Sequence, residues 1–390
     1  MHIIDQLRSR GFIHQITDEA ALREAISAGS VTVYVGADPT ARSLHAGHLL
    51  PLLCLRWLSE AGLEPIVIIG GGTALIGDPT GKDKTRDMQS TEELALNKAA
   101  LIQQARIFAP NARIVDNADW LCGLGYITFL RDIGAHFSVN KMLSAETFKQ
   151  RLDREQGLSF IEFNYTLLQS YDFLELYRRH KCTLQIGGQD QWFNIISGCD
   201  LIRRIEGAET FGLTIPLLLM SDGRKMGKSA GGAWWLDPTM MSPYHYFQNW
   251  LNIADADVEN LLRLYSYLDL AEITGLMADV RIAKRRLAVE ATAIVHGRDA
   301  ANAADEAAKA AFAGGASDDM PQIEVVAGAA VLAALVQAGF AKSNSDARRL
   351  IEQGGVSLGD QKVSDVKAVI AEPCVLWAGK KRAVRVVFVG

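Results

Sequence analysis

The chain has 390 residues, 49% hydrophobic and 22% charged, a length that at roughly 150 residues per domain predicts two or three domains and a composition that excludes disorder. Its net charge of −5 excludes a uniformly basic nucleic-acid binder. The charge is uneven, because residues 341–390 hold nine Lys/Arg against five Asp/Glu and leave −9 on the other 340; the last segment either meets a polyanion or presents a solvated basic face.

In chain order, Ile3–Arg8 reads as a short amphipathic helix. The first thirty residues carry Asp5, Asp18, Glu19 and Glu24 and no long apolar run, which fits neither a secretory signal nor a transit peptide. Val31–Val35 is a β-branched and aromatic strand, Gly36–Ser43 is turn-rich, and Leu44 onward is apolar enough for a buried helix. His45 and His48 flank Gly47 in the first turn of that helix. Unpaired N–H groups and the positive dipole end there favour a phosphate, with the imidazoles as further donors; the alternative is that the histidines cap one another. Pro51 lies inside the same helix and is expected to bend it by removing the bond to the Gly47 carbonyl.

Pro65–Gly70 is a continuous apolar run, the mark of a parallel strand covered on both faces. It leads through glycines 70–72 to GDPTGKDKTR, a phosphate-friendly loop with Asp78, Lys82, Lys84 and Arg86. Helices follow at Thr91–Phe108 and Gly123–Phe137. Further strands are expected at Thr183–Ile186, entering GGQDQW, and at Leu213–Leu219, entering SDGRKMGKSAGG. Strands whose carboxyl ends open into Gly-rich or charged loops describe a doubly wound α/β domain with its ligand at those ends. Neither GxGxxG nor GxxxxGK[ST] occurs, so neither the usual dinucleotide fold nor a P-loop is indicated. Pro243–Phe312 is helical, with a basic cluster at Arg281, Lys284, Arg285 and Arg286, and GGASDDMP is the clearest linker. Beyond it lies an α+β pattern: helices near Gly328–Ala338 and Ser345–Gln353, strands around Val356, Val375 and Val384–Val389. Five scattered cysteines, none in CxxC spacing, exclude a disulfide framework and a structural zinc site and fit a reducing cytoplasm. No segment reaches the ~18 apolar residues of a membrane span.

Two constellations carry chemistry. Lys225 and Lys228 stand either side of Met226-Gly227, with Ser229 next and glycines at 223, 231 and 232. Such a cationic loop suits a leaving pyrophosphate, whose charge grows in the transition state; a solvated lysine loop is the other reading. Tyr165, Gln169 and Asp172 are spaced four and three and share one helix face. A phenol, an amide and a carboxylate there suit a small zwitterion, or simply face water.

HAGH, GDPTGKDKTR, YxxxQxxD, GGQDQW and KMGKS, in this order and spacing, are similar to the motifs of bacterial-type tyrosyl-tRNA synthetases of class I. The resemblance covers nearly the whole chain. It implies a class I catalytic domain at 1–222 with a connective insertion at about 116–180, a signature loop and helical domain at 223–313, a linker at 314–322, and an RNA-binding domain at 323–390. It implies that Tyr34 and Asp172 hold the substrate phenol, Tyr165, Gln169 and Asp78 its ammonium, and that Gln191 lies near its carboxylate. Asp190 would hold the ribose of ATP, and Gly36, Asp38 and His48 would line the adenylate. Thr40, His45, Lys82, Arg86, Lys225, Lys228 and Ser229 would gather on the β and γ phosphates. Further implications are ATP as substrate with Mg2+ carried by it, no tightly bound protein metal, tRNA(Tyr) as partner, a cytoplasmic homodimer and no membrane. Gly227 replaces a serine often found in the second signature; with both lysines and Ser229 kept, little loss is expected.

Three rivals are weaker. Tryptophanyl-tRNA synthetases share the architecture, but a Tyr34/Asp172 pair suits a phenol better than an indole N–H. A small-molecule nucleotidyltransferase would share HxGH without needing 390 residues or a basic terminal domain. A non-catalytic RNA-binding relative would have lost Lys225 and Lys228.

Overall fold

The computed structural model describes residues 1–29, 31–77, 90–144, 146–153, 159–221, 223, 226, 228–229, 232–312, 322–359, 361–379 and 382–389. Asp78, Lys82, Arg86 and Lys225, the side chains of Lys228 and Ser229, and nearly all of the expected linker lie outside the described residues. The chain forms two compact units, one of residues 1–237 and 254–283, the other of residues 238–253 and 284–390.

The first unit is built on six strands: β1 (Gln15–Ile16), β2 (Thr32–Ala37), β3 (Glu64–Ile69), β4 (Arg113–Asp116), β5 (Cys182–Gly188) and β6 (Phe211–Ile215). Their order is β1-β6-β5-β2-β3-β4. All neighbours are parallel except β1, which runs antiparallel to β6. The chain steps outward from β2 through β3 to β4, then returns to the other side of β2 with β5 and β6. The order therefore reverses between β2 and β5, and the loops at their carboxyl ends diverge to leave a crevice for a ligand. Period-two alternation puts Tyr34, Ile66 and Ile68 on one face, packed with Phe173, Leu174 and Leu201 from the helices Phe160–His180 and Trp192–Glu206. Val33, Val35 and Val67 point to the other face, where the helix Ala46–Glu60 lies on β2 and β3. Both faces are thus covered, as continuous apolar strands require.

Several elements differ from expectation for local reasons. β6 ends at Ile215 because Pro216 has no N–H for the ladder. The expected helix over 123–137 is two pieces, Tyr126–Asp132 and a 3-10 turn Gly134–His136. β1 and β4 were not expected: β1 has two residues, and β4 is the half-buried RIVD, charged at both ends. The helix Ala46–Glu60 runs through Pro51 without interruption. A short hairpin, β7 (Lys228–Ser229) with β8 (Gly232–Ala233), completes this unit's strands among the described residues.

In the second unit, the helices Pro243–Leu251 and Arg298–Phe312 pack together, and buried Ala301, Ala304 and Ala307 on the latter permit close approach. The basic cluster is spent on neighbours here: Arg285 pairs with Asp305 at 2.6 Å and Arg286 with Glu290 at 2.9 Å. Strands β9 (Gln322–Val325), β10 (Val356–Leu358), β11 (Gln361–Lys362), β12 (Cys374–Ala378) and β13 (Arg382–Phe388) form a sheet in the order β11-β10-β12-β13-β9. Val331, Leu335 and Ile351 from two helices close its core with Val356, Leu376 and Val386.

Candidate functional site

The helix that begins at HAGH is capped by its own histidines. His45 is extended (φ −120°, ψ 168°), and its Nδ1 accepts the Gly47 N–H at 3.1 Å, while His48 Nδ1 accepts the His45 N–H at 3.5 Å. The rings stack with centroids 3.7 Å apart and 19° between planes. Mutual capping is therefore what the structure shows, and it has a chemical consequence. An imidazole whose Nδ1 accepts a hydrogen bond carries its proton on Nε2 when neutral, so both rings turn an N–H donor away from the helix backbone. The expected backbone donors are used up: Ala46 N–H goes to the Trp234 carbonyl at 2.9 Å and His48 N–H to the His45 carbonyl at 2.8 Å. Any anion at this end meets imidazole donors and the helix dipole, not unpaired first-turn amides.

The second signature is tied to the same turn. Leu236 N–H donates to the Leu44 carbonyl at 2.9 Å, completing a short bridge between 44–46 and 234–236. Ser43 Oγ accepts from Asp237 N–H and Gln104 Nε2, both at 3.0 Å. A Cβ on Gly47 would stand 3.3 Å from the Met226 carbonyl oxygen and 3.0 Å from the His45 ring, so glycine is what lets the Met226 main chain lie against HAGH. Buried Tyr265 donates its hydroxyl to the Ala46 carbonyl at 3.0 Å. At the other end of the segment, the Asp257 carboxylate holds Ser221 through its N–H and its hydroxyl, each at 3.0 Å.

At the carboxyl end of β2, Gly36 is exposed and Asp38 half-buried; Thr40 follows, its N–H on the Asp38 carbonyl at 2.8 Å. Asp38 is gripped on both oxygens, by Thr73 Oγ1 at 2.9 Å and by the Tyr165 hydroxyl at 3.1 Å. A side chain at Gly70 would collide with Asp38. Deeper, Tyr34 is 2% and Asp172 5% exposed. Asp172 accepts from Trp120 Nε1 at 2.7 Å and Asn117 Nδ2 at 2.9 Å. Burial pushes its carboxyl up to about 7 against the lowering effect of those two bonds, and the Asp38 and Asp116 charges add to the rise. Burial, then the Asp172 charge, also drives the Tyr34 phenol well above its usual range. The Tyr34 hydroxyl is buried and has no hydrogen-bond partner among the described residues, an arrangement that a ligand hydroxyl between Tyr34 and Asp172 would satisfy.

Gln169 and Gln191 both hydrogen-bond Asn194, and Asp190, beyond β5, is exposed. The structure thus brings Tyr34 with Asp172, Asp38 with Tyr165, Gln169 with Gln191, and His45 with His48. Thr73, Asn117, Trp120, Asn194 and Tyr265 were missed. Asn117 and Trp120 follow directly on β4, so overlooking that strand hid them; Asn194 sits three residues after Gln191 with no pattern of its own.

Comparison with known proteins bears on the family and the fold. Residues 27–313 match the model of class I tRNA synthetases (W and Y), and residues 312–376 match the SYY-like C-terminal domain of tyrosine–tRNA ligases. The tyrosine–tRNA ligase of Treponema denticola is 48% identical over 400 aligned residues, covering 98% of each chain. That of Xanthobacter autotrophicus is 49% identical over 377, covering 93% of this chain and 91% of its own. A C-terminally truncated mitochondrial tyrosyl-tRNA synthetase from Aspergillus nidulans superposes with a TM-score of 0.71 at 29% identity, over 78% of this chain and 92% of that one. With the sheet order and these matches in agreement, the chain belongs to the class I tyrosyl-tRNA synthetases.

Proposed function

We propose that the crevice at the carboxyl ends of β2 and β5 carries out tyrosine–tRNA ligation with the following division of labour. The observation that carries the substrate assignment is the buried Tyr34 hydroxyl, without a partner among the described residues and within the field of the buried Asp172 carboxylate. A tyrosine phenol between them accepts from one and donates to the other. Asp78, Tyr165 and Gln169 surround its ammonium, and Gln191 donates to its carboxylate.

In the first step a carboxylate oxygen of tyrosine attacks the α-phosphorus of ATP, and the bond to the bridging oxygen breaks, its electrons leaving with pyrophosphate. In the second, a ribose hydroxyl at the 3′ end of tRNA attacks the tyrosyl carbonyl and AMP departs. No enzyme group becomes covalently bound. What the residues contribute is alignment and charge. Gly36, Asp38 and Asp190 seat the adenosine; His45 and His48 turn their Nε2–H donors to the phosphates; Thr40, Lys82, Arg86, Lys225, Lys228 and Ser229 neutralise the leaving pyrophosphate. Mg2+ enters as the counter-ion of ATP.

The tRNA is contacted by the terminal domain, whose exposed Lys342, Arg348, Arg349, Lys362 and Lys367 support that reading. A homodimer formed through the insertion is supported by Tyr126, Ile127 and Val139, which are 60%, 75% and 57% exposed. Amino-acid-dependent ATP–pyrophosphate exchange across the twenty amino acids tests the proposal. Exchange with tyrosine alone is expected; equal use of phenylalanine, or a preference for tryptophan, would overturn it.

A further inference from the structure

Gln169 and Gln191 point their side-chain carbonyls at one nitrogen. Asn194 Nδ2 donates to Gln169 Oε1 at 3.0 Å and to Gln191 Oε1 at 3.1 Å. Asn194 is 6% exposed, and its own oxygen accepts the hydroxyl of the more deeply buried Thr166 at 2.8 Å. A primary amide has two N–H groups, and here each goes to a different glutamine; turning this amide over would disturb three hydrogen bonds at once, one of them buried and two partly buried. The stem of Gln191 lies close to Gly187, where a Cβ would stand 3.0 Å from Gln191 Cβ and from Ile195. With its oxygen committed to Asn194, the end that Gln191 turns away from that residue is its amide N–H2.

We propose that Asn194 is a positioning residue that fixes Gln191 as a hydrogen-bond donor toward the amino-acid carboxylate. This rests on the assignment of Gln191 to that carboxylate. A carboxylate only accepts, so a glutamine in the opposite orientation sets its carbonyl oxygen against a negative charge. Asn194→Asp reverses the instruction: two acceptor oxygens replace the donor, the glutamine amides turn over to satisfy them, and the Gln191 carbonyl oxygen then faces the carboxylate, while that of Gln169 faces the ammonium, which donates and is not repelled.

Tyrosinol isolates the effect, because it keeps the phenol and ammonium of tyrosine and replaces the carboxylate by a hydroxymethyl group. In pyrophosphate exchange, Asn194→Asp is expected to raise KM for tyrosine by on the order of tenfold to a hundredfold, while the inhibition constant of tyrosinol rises by no more than about threefold. Thr166→Val, which removes the hydroxyl that fixes the asparagine, is expected to shift the same ratio in the same direction by less; it also serves as the test if the aspartate variant does not fold. Equal weakening of both ligands, or of neither, would show that Asn194 only packs, and would overturn the proposal. Gln191→Ala separates the two levels: a normal loss of tyrosine preference in that variant beside a flat Asn194→Asp result rejects the role of Asn194 alone. An unchanged tyrosine-to-tyrosinol ratio in Gln191→Ala rejects the carboxylate assignment beneath it.

Discussion

Trp120 donates its indole N–H to Asp172 at 2.7 Å, with both residues of this bond buried. The Asp172 carboxyl nevertheless rises to about 7 because burial outweighs its two donors. A carboxyl with a raised folded-state pKa binds its proton more tightly in the native state, so it costs stability as pH climbs from about 4 to about 7 and leaves stability flat outside that window. The full cost is roughly 4 kcal/mol by the unit-shift conversion. Asp172→Asn should therefore gain on the native chain in unfolding midpoint between pH 5 and pH 8, while losing most tyrosine activation. A midpoint difference that does not change across that range would show that the carboxyl titrates normally.

The Tyr34 hydroxyl is the neutral half of the proposed phenol site. Tyr34→Phe removes a buried group that has no partner among the described residues, so the variant should be no less stable than the native chain. It should lose tyrosine-over-phenylalanine discrimination by about five- to tenfold, the worth of one neutral hydrogen bond. The ratio of kcat/KM in exchange measures this, and an unchanged ratio would remove Tyr34 from the specificity pocket.

Lys228 begins the β7 strand that follows the Met226 contact with Gly47. Lys228→Ala is expected to slow adenylate formation by tenfold or more, the order of one lost charge interaction, with tyrosine affinity nearly unchanged, because its contact strengthens only as pyrophosphate leaves. Pre-steady-state activation measured by rapid mixing separates the two quantities. A weakened tyrosine affinity at normal rate would contradict this role.

The terminal sheet has a core drawn wholly from residues 323–388. A chain ending at Gly315 should keep most of its pyrophosphate exchange and lose aminoacylation, since in the proposed function the removed part contacts RNA and not ATP. Tight, salt-sensitive tRNA binding by the shortened chain would place the footprint elsewhere.

Ile127 is 75% exposed beside Tyr126 at 60%. If a second copy covers this face, Ile127→Asp should shift sedimentation from dimer to monomer at micromolar concentration, because one buried unpaired charge costs more than a small interface returns. A sedimentation profile identical to that of the native chain would dismiss this face as the interface.

The strands β2, β3 and β5, the start of β6, the helix Thr91–Phe108 and the five motifs were legible in the sequence, because continuous apolar runs, glycine breaks and helical spacing are local signals. So was the tyrosine–tRNA ligase family, through the five motifs taken together. What the tertiary structure alone decided is where side chains distant in sequence meet. Asn117 joins Thr73 to Asp172 across intervals of 44 and 55 residues, and Asn194 joins Gln169 to Gln191. A buried asparagine leaves no periodic trace, since its contribution is the direction of its donors and acceptor, which exists only once partners from other elements surround it. The HAGH turn shows the same division. The sequence supplied two imidazoles at a helix start; only the folded chain, by spending Nδ1 of each ring and the first amides on capping and on residue 234, determined which nitrogen atoms face outward.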